Sequence, residues 1–209
     1  MNFFHKNNKL SKITNPKFIL GLILLIILGY LGNLFKINLF FGVDFIFGSI
    51  SSLIVVYFYG TKWGTLAALI ASIHTYFLWN HYYAIIIFTL EAMFVGVILN
   101  RQRFQNIVLL DGIYWIFLGI PLVGLFYGFV LHLNTMQTVL IMLKQSVNGF
   151  FNALICNLII TYVPINKLVS SSRKENYSSF QTTIFNFLIA FILFPALIIT
   201  IFDSQGILI

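Results

Sequence analysis

Seven apolar runs, divided by short polar stretches, constrain this chain more than any other feature of it. They lie at about 18–35, 39–59, 63–79, 84–99, 107–131, 139–163 and 180–202. A bilayer core of about 30 Å calls for about 20 apolar residues per helix, and these runs have that length. The whole chain agrees: 60% of its 209 residues are hydrophobic, 8% are charged and the mean hydropathy is +0.97. Such a composition leaves too little polar surface to cover a soluble globule. The expected fold is therefore an all-α polytopic membrane bundle of about seven transmembrane helices.

Charge placement sets the expected orientation. Ten of the 12 Lys and Arg residues (6, 9, 12, 17, 62, 101, 103, 167, 173 and 174) fall on one side of this arrangement. Positive residues mark the cytoplasmic side, so the amino terminus is expected inside and the carboxyl terminus outside a bacterial inner membrane. The expected organisation is a cytoplasmic arm at 1–17, a six-helix bundle at 18–165, a basic cytoplasmic loop at 166–179, and a seventh helix with a short outer tail at 180–209. The first span lacks a small-residue cleavage site and is expected to remain in the protein. The net charge of +7 reads as a topology signal, and no nucleic-acid module accompanies it. Cys156, the one cysteine, can form no disulfide within the chain.

Several spans carry packing signals. Gly60, Gly64, Ala68 and Ser72 recur every four residues along the third span, and Gly48-Ser49-Ile50-Ser51-Ser52 opens the second with small and hydroxylated residues; both permit close helix contact. In the fifth span Pro121, between Gly119 and Gly124, predicts a bend.

The polar residues within spans carry the functional reading. Lys144, Asn148 and Asn152 are spaced by four and Gln145 lies three before Asn148, so a single helical face presents all four. Amides in a membrane helix commonly hold neighbouring helices, at about 1 kcal/mol each. Lysine is harder to accommodate, costing about 3 kcal/mol at mid-membrane unless it is paired or reaches the interface. A buried acid, a water or an anionic ligand should answer it. Glu91 stands at the middle of the fourth span, and a Glu91–Lys144 pair would offset the desolvation of each. His74 lies in the outward half of the third span, while Asp44, Trp79 and His81 sit near the outer ends. Asp111 reads as interfacial. The expected ligand site is thus Lys144, Gln145, Asn148 and Asn152 as lining, Glu91 and His74 as partners or gates, and Asp44, Trp79 and His81 at the mouth.

Catalytic chemistry finds no parts here. The sequence has no phosphate-binding glycine loop, no dinucleotide fingerprint, no nucleophile elbow and no His-x-x-x-His pair. No enzyme activity, cofactor or metal is expected of these residues.

A resemblance sharpens the reading. Phe41-Gly42-Val43-Asp44, Phe47-Gly48-Ser49-Ile50, Tyr59-Gly60-x-x-Trp63-Gly64, Leu78-Trp79-Asn80-His81, Glu91-Ala92, and Lys144-Gln145-x-x-Asn148-Gly149-x-x-Asn152-Ala153 resemble the amino-terminal membrane module of certain bacterial sensor histidine kinases and diguanylate cyclases. In topology, helices one to six are also similar to the substrate-binding S component of energy-coupling-factor vitamin transporters. The first resemblance implies a sensory input module, bound to an unknown small ligand within the lipid bilayer, with output domains outside these residues and a homodimer formed through them. The second implies a solute-binding transporter subunit. Two departures from the S component favour sensing: the first helix lacks an Ala-x-x-x-Ala docking seam, although Ala67 and Ala71 supply one on the third, and the seventh helix is surplus. The chain is accordingly expected to be a fragment or a stand-alone relative of the sensors.

Overall fold

The structure, a computed structural model, describes residues 16–38, 44–101 and 106–163 together with Ile165 and Leu188. The expected seventh span apart from Leu188, the basic loop at 166–179, most of the amino-terminal arm and Arg103 lie outside the described residues.

Six helices form among the described residues. They are α1 (Pro16–Leu34), α2 (Gly48–Tyr59), a rod made of α3 (Thr61–Ser72) and α4 (His74–Trp79), α5 (Tyr83–Asn100), α6 (Ile107–Val130) and α7 (Thr135–Tyr162). Four of these, α1, α5, α6 and α7, are long and apolar enough to cross a membrane. The fold is that of a helical membrane protein.

Helix α2 is its centre. It is buried on every side from Leu53 to Phe58, and it packs on α1, α3, α5 and α7. A helix apolar all round belongs in a core, and this one is enclosed by the others. The small residues permit that enclosure. A Cβ at Gly64 would run into Val56 of α2, and a Cβ at Gly29 of α1 would stand 3.3 Å from the Cβ atoms of Ala71 and Ser51. The four-residue seam of α3 is therefore spent on internal packing.

Breaks in the helices have local causes. Between α2 and α3 the chain turns at Gly60 with φ of +87°, a left-handed conformation that only glycine adopts without strain. The α3–α4 rod loses regularity at Ile73, where Ser72 Oγ donates back to the Ala68 carbonyl at 2.7 Å and Thr75 Oγ1 to that of Ser72 at 2.7 Å. Side-chain amides start the later helices. Asn106 Oδ1 accepts from the Val108 and Leu109 N–H groups, and Asn134 Oδ1 from that of Gln137. In α6 the Pro121 region is flanked by two π-helical stretches, Trp115–Gly119 and Gly124–Val130. A proline lacks the N–H that an α-helix needs, and wider turns are one way to reroute the ladder.

The second expected span differs most from observation. Its apolar run begins at Leu39, but α2 begins at Gly48 and is 12 residues long. Ahead of it, Asp44–Phe45 (β2) pairs antiparallel with Ile37–Asn38 (β1), matching Ile37 to Phe45 and Asn38 to Asp44. Asp44, Phe45 and Ile46 are buried in this extended form. Hydropathy alone does not separate a buried strand from a buried helix, which is why the run reads as continuous.

Candidate functional site

Extended backbone buried inside a membrane bundle must have its polar groups satisfied by protein. Five donors and acceptors, from four residues, do this for Ile46–Gly48. Asn148 Oδ1 accepts from Ile46 N–H at 2.8 Å, and Asn148 Nδ2 donates to the Ile46 carbonyl at 2.7 Å. A second donor, Asn152 Nδ2, reaches the same carbonyl at 2.9 Å. Next along the chain, Phe47 N–H donates to Gly32 O at 3.2 Å and Gly48 N–H to Asn33 Oδ1 at 2.6 Å. Asn33 Nδ2 then donates to Ala71 O at 2.8 Å, tying α1 to α3. Asn148 thus pairs with Ile46 as a neighbouring strand would, from a helix. The two asparagines expected to line a ligand site are occupied in holding the entrance to α2.

One turn away on α7, Lys144 and Gln145 have different surroundings. The Lys144 ammonium stands 4.8 Å from the ring centre of Trp79, a cation over an aromatic face. Asp44 acts on it electrostatically, but the Asp44 carboxylate is already paired with Lys36 Nζ at 3.0 Å. Gln145 Nε2 donates to Tyr127 Oη at 3.4 Å, while its buried Oε1 receives nothing. The His81 ring packs edge-on against Tyr127 at 4.9 Å and beside Trp79 at 6.3 Å, and its buried Nδ1 also lacks a partner. Burial holds the His81 imidazole below its ordinary value, against a smaller opposing effect of its own backbone, so it is neutral at physiological pH. Lys36, Asp44 and a protonated Lys144 together leave one positive charge at this end of the bundle.

Other expected contacts do not form. Glu91 does not meet Lys144; its Oε2 accepts from Ser49 Oγ at 2.7 Å and its Oε1 from Trp115 Nε1 at 3.0 Å. A hydroxyl and an indole serve Glu91, and the Trp79 ring lies under Lys144. His74 stands apart from the cluster too, with its ring edge-on to Tyr30 of α1 at 5.6 Å and its Nδ1 unpartnered. Asp111, expected near the interface, is buried within the bundle and 0% exposed. The structure therefore brings together Asp44, Trp79, His81, Lys144 and Gln145, adding Tyr127 and Lys36, and separates them from Glu91 and His74. Tyr127 carried no usable signal in the sequence, being one of ten tyrosines in an apolar run. Asp111 and Trp115 did carry one, since their spacing of four puts both on one face of α6.

No family model matches the chain, and no characterised protein or solved structure is significantly similar to it.

Proposed function

We propose that these helices are the membrane-embedded input module of a bacterial signal-transduction protein, inserted with its amino terminus in the cytoplasm, and that they bind a small anionic ligand between α4, α6 and α7. Lys144 supplies the charge, Gln145 and His81 the free polar atoms, and Trp79 and Tyr127 the aromatic walls. Kinase or cyclase output belongs to domains outside these residues. The carrying observation is the half-buried Lys144 ammonium, set against a ring rather than a carboxylate, beside two buried polar atoms that have no partner. Buried groups of this kind are ordinarily satisfied, and an anion with a hydrogen-bonding group would complete all three.

The S-component alternative needs an exposed small-residue seam for its membrane partner. Ala67 and Ala71, which would supply it, are buried, and Ala71 lies against α1. That placement favours the sensory reading. The test is thermal unfolding of the purified chain in detergent against a panel of small carboxylates and phosphates. A ligand present at 100 times its dissociation constant should stabilise the fold by about 2.7 kcal/mol. Lys144→Met should abolish the shift, and an equal shift in that variant would overturn the assignment.

A further inference from the structure

Glu91 and Asp111 form a second polar centre that the ligand reading does not use. Glu91 is 1% exposed and Asp111 0%. They come from neighbouring helices, α5 and α6, and they are close enough to act on one another: Trp115, one turn after Asp111, donates its indole N–H to Glu91 Oε1 at 3.0 Å. Yet neither oxygen of Asp111 receives a donor from the protein. Two carboxylates can only accept, so a bond between them requires a proton on one of them.

The surroundings decide which one carries it. Glu91 already accepts two hydrogen bonds, from the Ser49 hydroxyl of α2 and the Trp115 indole of α6. Donors aimed at a carboxylate favour its charged form, and Asp111 has none. No cation offsets the pair: among the described residues neither acid is in an ion pair with Lys, Arg or His. Among the described residues the other titratable groups that act on it are Tyr114 of α6 and Cys156 of α7, both neutral when protonated. Tyr114 directs its hydroxyl elsewhere, to the Ile87 carbonyl at 2.6 Å. Packed against α5, the α3 helix presents Ala67, Ala68 and Ala71 as its buried apolar residues. Two adjacent negative charges would stand uncompensated in a medium of low dielectric, so the pair keeps one proton.

We propose that Glu91 and Asp111 are a proton-binding site inside the membrane bundle, with the proton on Asp111 Oδ donated to a Glu91 carboxylate that Ser49 and Trp115 hold in place. Ser49 also lines a cavity of about 10 Å³ with Asn33, Ser52 and Ser72, room for about one water molecule. The cavity reaches the dyad only through Ser49, whose hydroxyl donates to Glu91 Oε2. Because the dyad joins α2, α5 and α6, loss of the proton would push α5 from α6 at the level where α6 changes from α to π geometry.

The test is infrared spectroscopy of the full chain in lipid nanodiscs, in water and in heavy water, at neutral pH. The wild type should show one deuterium-sensitive protonated-carboxyl stretch. Asp111→Asn should remove it while leaving the fold intact, because the amide supplies an N–H where the acid supplied O–H. If that variant does not fold, Glu91→Gln takes its place, its amide donating to an ionised Asp111, and the band should again vanish. Stability gives a second readout. The folded chain holds a proton that an unfolded aspartate, with an ordinary value of about 3.9, releases at neutral pH, so folding should weaken as pH rises, by about tenfold per pH unit. His81, neutral when buried, works in the opposite sense near its own value, and the difference between wild type and Asp111→Asn removes its contribution. A wild type without the band, a band that persists in either variant, or a fold stabilised by sodium with no dependence on pH would overturn the proposal.

Discussion

Two successive stretches of α7 look alike in sequence and differ in what they do. Asn148 and Asn152 each spend their amide on Ile46, and Asn148 uses both its donor and its acceptor there. Lys144 and Gln145, one turn nearer the start of the helix, leave polar atoms unused and face aromatic rings. The difference lies in what stands opposite. The asparagines face a stretch of backbone that has no ladder of its own, while the lysine and glutamine face Trp79 and Tyr127. A polar residue in a membrane helix therefore reports an unmet need nearby, and the need can be structural or chemical.

The division can be broken most sharply at Asn148. Asn148→Leu leaves the Ile46 N–H without an acceptor and removes one of two donors to its carbonyl, and should destabilise the fold by about 3 kcal/mol. Chemical denaturation in detergent measures this loss, and no small anion should restore it. Gly149→Ala comes next. A Cβ there would collide with the Trp115 indole, so the ring must move and its bond to Glu91 must lengthen. Overpacking of this kind should cost about 2 kcal/mol, accompanied by a change in tryptophan emission. Asn152→Ala is milder, since Asn148 still serves the Ile46 carbonyl; about 1 kcal/mol is expected by the same denaturation. Lys144→Met should change stability by less than about 1 kcal/mol, because removing a cation from the bundle also removes its desolvation cost. Its effect should fall on ligand binding instead, read as loss of the thermal shift.

Much of this architecture was legible in the sequence, for a physical reason. Apolar runs long enough to span a bilayer must become helices, because no other open structure satisfies the backbone in lipid, and α1, α5, α6 and α7 follow that rule. Spacing by four also placed Lys144, Asn148 and Asn152 on one face. What spacing cannot supply is the identity of the partner. The helix-breaking segment ahead of Gly48 is as apolar as a helix, so the backbone that the asparagines serve was hidden in a predicted span. The spacing of Asp111 and Trp115 shows the face they share, but not that the acid is buried. It stands one turn inside the start of α6, where an acid ordinarily meets water, and its burial depends on the register of α5 against α6, which no single span encodes. The Glu91–Lys144 pairing failed for the same reason. Opposite charges at compatible depth were evident, but Ser49 and Trp115 were better placed to reach the glutamate.

The most direct test of the account compares unfolding midpoints for Asn148→Leu and Lys144→Met, measured side by side without added ligand. A large loss is expected for the asparagine variant and almost none for the lysine variant, since one removes a partner of the buried backbone and the other empties a site. Equal losses would contradict it, and would make the whole polar face of α7 a single packing element.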